Sequence, residues 1–395
     1  MDKVYVLIFL MIVCTLLALQ SVIAGAKESD YAFRPGRILS IAENVYFYTL
    51  ENPYRRRSTG EVVEFDRNWI RATLYTGIME LYHATGHTEF LEQAIRWAEK
   101  HEWQVGTERS GYNKLFSSMT WVELYLFDPD PGKINPTLEW MDTDAPNSPA
   151  LSRIWYGHAP EPFDDPLYCD ALYAAPVFAM LYQATGEQKY LDILHDSFWK
   201  ITEATLDKEE NLYYRDPMFI GQKTENNKKI LWSRGNGWVF AALPRLLRYL
   251  PEKDPYYDQY VDLYQRMARS LAGRQQNDGY WRANLDDSLQ FTMPETSGTA
   301  FFTSGFAWGI REGLLDEDTY LPVVIRGWQA LVDAVHPNGK LGWVQWVGAA
   351  PAASEKNVTH EYGVGPFLSS AAQVYLLAKD GIITEDRVHS IRIRN

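Results

Sequence analysis

One aspartate, Asp170, is placed where a single carboxyl group could both donate and accept a proton. It lies in the segment YCDALY at residues 168–173, directly ahead of a long apolar run with helical spacing. This position predicts that Asp170 lies at or near the N-terminus of a helix, where an aspartate usually caps the first turn in its ionised form. Its apolar neighbours act in the opposite direction, because desolvation raises the pKa of a carboxyl group. Asp170 is therefore a candidate general acid as well as a candidate cap.

A second candidate segment, WSRGNGW at residues 232–238, combines glycines, an arginine and two tryptophans. Arg234 offers a planar fork that suits a carboxylate. The glycines on either side of Asn236 allow close approach of a ligand, which makes Asn236 a candidate substrate contact. Trp238, one helical turn beyond Arg234, would share its face and stack on a sugar ring. The segment alone equally fits a structural turn, with Arg234 paired to a carboxylate and Trp238 in the core.

The elements that would position these residues are helices, since the sequence has almost no alternating strand pattern. Turn signals separate the apolar runs and predict an all-α protein. The twelve predicted helices span residues 36–50, 68–85, 88–101, 117–127, 134–141, 171–185, 188–205, 237–250, 256–274, 299–315, 319–335 and 366–379.

An internal repeat predicts how the helices pair. LYHATGHTEFLE at 81–92 returns as LYQATGEQKYLD at 181–192, and in both a helix stops at Thr-Gly, with glycine suited to the left-handed position after a helix. Six helical hairpins of this kind can close into an (α/α)6 barrel with six inner and six outer helices. An open solenoid is the alternative, but solenoids usually have a shorter and stricter period.

Every second helix would then be an inner one, and the segments that begin the inner helices are rich in glycine, polar residues and aromatics. These segments are EFDRNW (64–69), GYNKLFSSM (111–119), YCDALY (168–173), WSRGNGW (232–238), PETSGTAFF (294–302) and EYGVGPF (361–367). They would gather at one end of the barrel, where the positive ends of six helix dipoles favour an anionic ligand.

Composition and charge exclude several classes of function. The net charge of −13 and the lack of a basic patch argue against nucleic acid as a partner. The eight histidines show no metal-ligand spacing, so neither a metal site nor another cofactor is predicted. The 14 Trp and 25 Tyr could include platforms for sugar rings, although core packing is their usual role.

The N-terminal segment predicts export. Lys3 precedes an apolar run from Val4 to Ile23, and Ala24-Gly25-Ala26 resembles a cleavage site, so residues 1–26 are predicted to be a signal peptide. Residues 27–395 would form a single barrel domain in the periplasm or outside the cell, without membrane attachment after cleavage. An uncleaved membrane anchor is the alternative. The oligomeric state stays open.

The chain resembles the unsaturated rhamnogalacturonyl hydrolases of glycoside hydrolase family 105 over roughly residues 35–380. The resemblance is carried by DALYAAP, LYQATGEQKYLD, LYYRDPMFIGQ, LWSRGNGWVFAALPRLLRYLP, QNDGYWR and ETSGTAFF, in that order. It implies an (α/α)6 barrel and a substrate that carries a 4,5-unsaturated uronic acid at its non-reducing end. Asp170 would protonate C4 of the double bond and assist addition of water at C5. Arg234 and Trp238 would hold the uronyl carboxylate and ring, and Tyr168 would be an aromatic platform.

Two positions depart from that family pattern. Asn113 stands where many relatives carry an acidic or histidine cluster; it can make hydrogen bonds to substrate but cannot serve as a second carboxylate. Arg215 stands where some relatives have histidine. It is expected to overhang the mouth near the sugar that follows the unsaturated ring. There it would pair with Asp216 or a neighbouring acid, or bind an anionic group such as a sulfate. The substrate therefore stays open between rhamnogalacturonan fragments and sulfated ulvan fragments.

Three other functions remain compatible with the sequence. A conventional inverting glycosidase needs a second carboxylate, for which the candidates are Asp66, Asp164, Asp165 and Glu295. A sugar epimerase would need paired proton-transfer groups such as His158 and His360. In a non-catalytic glycan-binding barrel, Asp170 would be only a cap.

Overall fold

The computed structural model describes residues 32–53, 67–108, 111–145 and 167–394. The predicted signal peptide lies outside these residues, so it stays a prediction. The described residues contain thirteen α-helices: α1 (Pro35–Glu51), α2 (Trp69–Thr85), α3 (Thr88–Lys100), α4 (Gly111–Phe127), α5 (Pro131–Thr143), α6 (Ala175–Thr185), α7 (Lys189–Thr205), α8 (Ser233–Tyr249), α9 (Tyr257–Ala272), α10 (Thr296–Arg311), α11 (Glu317–Asp333), α12 (Glu361–Lys379) and α13 (Glu385–Arg394). None of them is long and apolar enough to cross a membrane.

The even-numbered helices from α2 to α12 form a closed inner ring. Each packs against the next one, and α12 returns to pack against α2. The odd-numbered helices from α1 to α11 lie outside this ring, each against one or two inner helices. This arrangement is the predicted (α/α)6 barrel, with α13 added after the last hairpin.

Burial explains which helices are inner and which are outer. In α2, residues from Ile70 to Leu81 are almost continuously buried, because neighbouring helices cover it on several sides. The outer helix α3 buries only Phe90, Ala94, Trp97 and Ala98, a spacing that places one apolar stripe against the ring. A helix that is apolar all round requires cover all round, and closure of the ring supplies it.

The repeated Thr-Gly motif ends two inner helices as predicted. Gly86 follows α2 with φ 72° and Gly186 follows α6 with φ 74°. Their N–H groups donate to the carbonyl oxygens of Tyr82 and Tyr182, which satisfies a carbonyl in the last turn of each helix. The left-handed conformation at both sites explains why glycine stands there.

Four details differ from the sequence-based expectation. Four inner helices, α4, α8, α10 and α12, begin earlier than predicted, because the glycine-rich and polar segments form the first helical turns instead of preceding them. Asp170 lies in a 3-10 turn, Cys169–Ala174, which leads into α6. A short antiparallel hairpin pairs β1 (Leu206–Asp207) with β2 (Leu212–Tyr213). The polar helix α13 was not predicted because it has little apolar periodicity.

Ring closure brings α2 and α12 into backbone contact. A Cβ atom on Gly77 would overlap the carbonyl oxygen of Gly365, and a Cβ atom on Gly365 would overlap that of Thr73. Nearer the mouth, Arg71 Nε and Nη2 donate to Glu361 Oε2 and Oε1 at 2.6 and 2.8 Å, a bidentate ion pair between the same helices. The close approach at Gly77 and Gly365 and this ion pair therefore both contribute to closing the barrel.

This contact makes a stability prediction. Gly77→Ala should lower the free energy of unfolding by about 1–3 kcal/mol, because the new methyl group must displace helix backbone. Gly36→Ala in α1 is the control, since a Cβ there meets nothing within 4 Å. Urea denaturation of both variants checks the difference. An unchanged midpoint for Gly77→Ala would contradict the close approach.

The lower half of the barrel interior holds buried charges. Glu123 of α4 accepts hydrogen bonds from Arg245 Nη2 at 3.1 Å and from the Tyr249 hydroxyl at 2.7 Å, both of α8. Glu80 of α2 makes a bidentate pair with Arg248 at 2.8 and 3.0 Å. Burial acts to raise the pKa of both carboxyl groups, but the arginines outweigh it, holding the pKa of Glu80 at about 2 and that of Glu123 well below its ordinary range. These pairs fix the relative positions of three inner helices.

Candidate active site

The N-termini of the inner helices meet at one end of the barrel, which we call the mouth. Trp69 at the start of α2 stacks on Tyr362 of α12, with ring centroids 5.3 Å apart. At the same end, Tyr112 of α4 lies 6.3 Å from Tyr168, the residue before the 3-10 turn. The glycine-rich segments therefore converge as predicted.

Asp170 lies in this mouth, on the 3-10 turn. Its side chain is 18% exposed, and it follows Cys169, which is fully buried. No backbone N–H of the described residues donates to its carboxyl group, so Asp170 is not a helix cap. Its Oδ1 lies 3.6 Å from the Cys169 Sγ and its Oδ2 lies 3.6 Å from Arg215 Nε. Gly235 lies close to the Asp170 carboxyl group, because a Cβ atom built on Gly235 would lie 3.5 Å from Asp170 Oδ1.

The environment raises the pKa of Asp170. Burial is the main cause, and it outweighs the opposing effects of the Arg215 and Arg234 charges and of the Cys169 thiol. A carboxyl group with a raised pKa keeps its proton closer to neutral pH, which is the property a general acid needs. A partly exposed acid that is not a cap, in a mouth of helix N-termini, fits proton transfer to a bound ligand.

Arg215 lies beside Asp170 in the mouth, and its predicted position near the sugar that follows the unsaturated ring stays a prediction. Its Nη1 donates to Asp216 Oδ2 at 2.8 Å, and its guanidinium lies 4.7 Å from the centre of the Tyr168 ring. The main chain joins them as well, because the Cys169 N–H donates to the Arg215 carbonyl at 2.8 Å. The predicted pairing with Asp216 is present but mostly buried, with 20% of the Arg215 side chain and 1% of the Asp216 side chain exposed.

Arg234 is buried in the wall of the mouth, with 1% of its surface exposed. Its Nη1 and Nη2 donate to the carbonyl oxygens of Gln345 and Trp346, both at 2.8 Å. The guanidinium lies between the rings of Trp232 and Tyr362, at 4.6 and 4.8 Å from their centres. Both terminal nitrogens are thus used by the main chain. Its predicted role as a carboxylate clamp stays a prediction that this geometry does not favour.

Asn236 is fully buried and makes its hydrogen bonds within the protein. Its Nδ2 donates to the carbonyl oxygens of Tyr213 and Trp232 at 2.9 and 3.0 Å, and its Oδ1 accepts from the Tyr213 N–H at 2.7 Å. These bonds tie the first turn of α8 to β2. The structure therefore gives Asn236 a scaffolding role, and its predicted contact with substrate stays a prediction that this geometry does not favour.

Trp238 lies beneath the mouth in an aromatic cluster. Its ring centroid lies 4.8 Å from that of Tyr173, 4.6 Å from that of Phe301 and 6.0 Å from that of Trp69. Only 3% of Trp238 is exposed, so it supports the floor of the mouth, whereas the half-buried Trp69 lies nearer the opening. No sequence motif distinguishes Trp69 from the other tryptophans. Its position at the start of an inner helix was the available signal.

Tyr168 and Asn113 lie at the mouth, as predicted for substrate contacts. Tyr168 is 8% exposed and carries the Arg215 guanidinium on its ring. Asn113 is half-buried in the first turn of α4, next to Tyr112, whose ring contacts Tyr168. Contact of either residue with substrate stays a prediction.

The structure also bears on the alternative proton-transfer groups. Glu295 is fully buried and caps α10, accepting from the N–H groups of Ser297 and Gly298 at 2.9 and 2.7 Å, so it is not placed as a second catalytic carboxylate. His360 is buried at the start of α12, where burial and the Arg234 charge lower its pKa to about 3. The other candidates, Asp66, Asp164, Asp165 and His158, lie outside the described residues.

One more carboxyl group near the mouth was not predicted. Glu108 precedes α4, and its Oε1 accepts the N–H of Trp69 at the start of α2. Burial raises the pKa of Glu108 to about 7, against the hydrogen bond from Trp69 and the charge of Lys114. No motif surrounds it in the sequence, so only the folded arrangement reveals it. Among the described residues, no group of three or more His, Cys, Asp or Glu side chains could hold a metal ion.

Comparisons with known proteins agree with this geometry. Residues 48–378 match the sequence model of Glycosyl Hydrolase Family 88. The unsaturated 3S-rhamnoglycuronyl hydrolase of Alteromonas sp. (strain LOR) is 31% identical over 347 residues, which cover 83% of this chain and 81% of that protein.

Solved structures share the fold. A glycosyl hydrolase family 88 protein from Bacteroides vulgatus superposes with a TM-score of 0.75 and 33% identity, covering 87% of this chain and 99% of that one. A possible family 105 member from Salmonella enterica gives a TM-score of 0.69 at 19% identity, covering 86% and 94%, a likeness that shows the fold alone. These findings confirm the resemblance to hydrolases of unsaturated uronyl sugars.

Proposed function

Because the chain belongs to glycosyl hydrolase family 88, we propose that it removes a 4,5-unsaturated uronic acid from the non-reducing end of lyase-generated oligosaccharides. The protein is a glycoside hydrolase, and the observation that carries the specific reaction is the state of Asp170. This is one partly exposed carboxyl group with a raised pKa, next to a cation. Hydration of a double bond can use a single group of this kind, whereas direct hydrolysis of a glycosidic bond normally uses two.

The chemistry follows from one carboxyl group that acts twice. Protonated Asp170 gives its proton to C4, and positive charge develops at C5 and the ring oxygen. The Asp170 carboxylate then accepts a proton from the water whose oxygen bonds to C5. The resulting hemiketal opens by breaking the bond between C5 and the ring oxygen. The hemiacetal left at C1 then releases the rest of the oligosaccharide as an alcohol, and Asp170 ends in its protonated form.

The proposed substrate is anionic and has the unsaturated uronyl group linked to rhamnose. Six inner-helix N-termini and Arg215 surround the mouth, and both favour a carboxylate in an otherwise acidic protein. The name of the Alteromonas relative, an unsaturated 3S-rhamnoglycuronyl hydrolase, supports fragments of the sulfated ulvan type over those from rhamnogalacturonan. We further propose that the enzyme is exported, on the evidence of the apolar segment from Val4 to Ile23.

The ultraviolet absorbance of the double bond conjugated to the carboxylate provides the test. Incubation with lyase-generated ulvan oligosaccharides should remove this absorbance as new reducing ends appear, and pectin-derived oligosaccharides should react more slowly. Saturated oligosaccharides of the same composition are the control and should not be cleaved. New reducing ends without loss of absorbance would indicate a conventional glycosidase instead. Unchanged absorbance and unchanged reducing ends would contradict hydrolysis and leave a binding function or an epimerase.

A further inference from the structure

We propose that Arg215, and not Arg234, binds the C6 carboxylate of the unsaturated uronyl group and holds its C4 against Asp170. This inference rests on the proposed function, because it assigns a residue to the substrate of that reaction. It differs from the sequence-based expectation in both the residue that binds the carboxylate and the group that Arg215 contacts.

Arg215 uses only part of its guanidinium for hydrogen bonds within the protein. Asp216 takes Nη1 from one side, which leaves the fork formed by Nε and Nη2 on the other. The Nε atom is buried, and its nearest acceptor is Asp170 Oδ2, an ion-pair partner at 3.6 Å, which is too long for a good hydrogen bond. A buried guanidinium N–H that lacks an acceptor is costly. A bound carboxylate in the mouth would satisfy it.

Elsewhere in this protein, the same pair of arginine nitrogens already binds a carboxylate. Arg71 binds Glu361 through Nε and Nη2, at 2.6 and 2.8 Å, in the bidentate geometry that arginine and a carboxylate prefer. Arg215 presents the equivalent pair of nitrogens in a side chain that is 20% exposed. Arg234 is less suited to this role, because it is only 1% exposed and both of its terminal nitrogens already donate to main-chain carbonyls.

The shape of the substrate places its carboxylate next to the carbon that is protonated. The carboxylate of a 4,5-unsaturated uronate is attached to C5, the immediate neighbour of C4. A proton donor for C4 and a clamp for the carboxylate must therefore lie side by side, as Asp170 and Arg215 do. The Tyr168 ring beneath the guanidinium and the buried Asp216 fix the orientation of Arg215.

Carboxylate binding at Arg215 would also assist the acid. The Arg215 charge lowers the pKa of Asp170, against the larger effect of burial. A substrate carboxylate in the fork offsets that charge, so the pKa of Asp170 rises when substrate is bound. Asp170 would then keep its proton until C4 is in place.

Two substrates that differ only at the C6 carboxylate can distinguish carboxylate binding by Arg215 from an effect of Arg215 on the pKa of Asp170 alone. We compare kcat/KM for unsaturated oligosaccharides with a free C6 carboxylate and for the same oligosaccharides as C6 methyl esters. Wild type should prefer the free acid. Arg215→Gln should lose about tenfold to a hundredfold on the free acid and much less on the ester, as expected for a charge-assisted bond. Arg215→Lys keeps the charge but loses the fork, so its kcat/KM on the free acid should lie between those of wild type and Arg215→Gln.

Two results would overturn the assignment. If Arg215→Gln loses activity equally on acid and ester, and its pH profile moves to higher pH, the residue acts only through Asp170. If the variant keeps the wild-type preference for the acid, another group binds the carboxylate. Arg96→Gln on the outer helix α3, where the arginine side chain is 56% exposed, is the control and should leave both rates unchanged.

Binding to inactive protein keeps this test separate from the proposed function. Calorimetric titration of Asp170→Asn with the unsaturated disaccharide should give a measurable affinity, and adding Arg215→Gln should weaken it about tenfold or more. Wild type that binds through Arg215 but leaves the absorbance unchanged would contradict the reaction and not the clamp. Equal affinity of the single and double variants would contradict the clamp alone.

Discussion

Asp170→Asn should lose nearly all turnover, by about 10²–10⁴-fold in kcat, while the barrel remains folded. The loss follows because an amide can neither donate a proton to C4 nor accept one from water. The rate of absorbance loss measures the effect. Retention of more than a tenth of the wild-type rate in folded protein would remove Asp170 from the catalytic role.

The same variant should not lose stability. Because the pKa of Asp170 is higher in the folded protein than in the unfolded chain, ionisation of this group opposes folding as pH rises through the interval between those values. An uncharged amide removes that opposition, so the melting temperature should stay the same or increase. Asp196→Asn on α7, where the aspartate side chain is 44% exposed, is the matched control and should keep full activity.

Glu123→Gln should have the largest effect on stability, with a loss of about 3–5 kcal/mol in the free energy of unfolding. Arg245 is 6% exposed and pairs with Glu123 at 3.1 Å, so the substitution leaves a buried guanidinium without its counter-charge. The hydrogen bond from the Tyr249 hydroxyl to the carboxylate is weakened as well. Chemical denaturation gives the difference. Glu92→Gln on the surface of α3 is the control and should change stability little.

Acid should unfold the wild-type protein through the same charges. Glu80 and Glu123 have folded pKa values below those of the unfolded chain, so their stabilisation is complete above about pH 4.5 and is lost as pH falls, toward about pH 2 for Glu80. The melting temperature of wild type should therefore fall steeply below about pH 4.5. Glu123→Gln should show a shallower fall, and an equally steep one would contradict the assigned role of Glu123.

The sequence was sufficient to predict the ring because its signals are local and repeated. Gly86 and Gly186 mark helix ends by a backbone conformation that glycine adopts easily, and the apolar faces of α2 and α3 follow helical periodicity. Asp170 was identifiable because an acidic residue with apolar neighbours at a helix start is chemically unusual. Each of these features depends on residues close together in the chain.

The roles of the arginines and of Asn236 could not be predicted in the same way. Arg234 is held by carbonyl groups of Gln345 and Trp346, more than a hundred positions away, and Asn236 by Tyr213 on a hairpin with no strand signal. Arg215 contacts Asp170 because two loops meet, which no periodicity encodes. Side-chain type predicts what a group can bind, but long-range packing decides which partner it reaches.

The contact between α2 and α12 also has a consequence for how the protein is made. Arg71 and Glu361 are 290 positions apart, so the contacts that close the ring form only after most of the chain has left the ribosome. Until then the flank of α2 that contains Gly77 has no partner, and an apolar helix surface stays exposed to water. Long-range closure of this kind slows folding and leaves nascent chains prone to aggregation. During synthesis, the first inner helices must therefore be kept from aggregating with other chains until α12 has been made and can pack against α2.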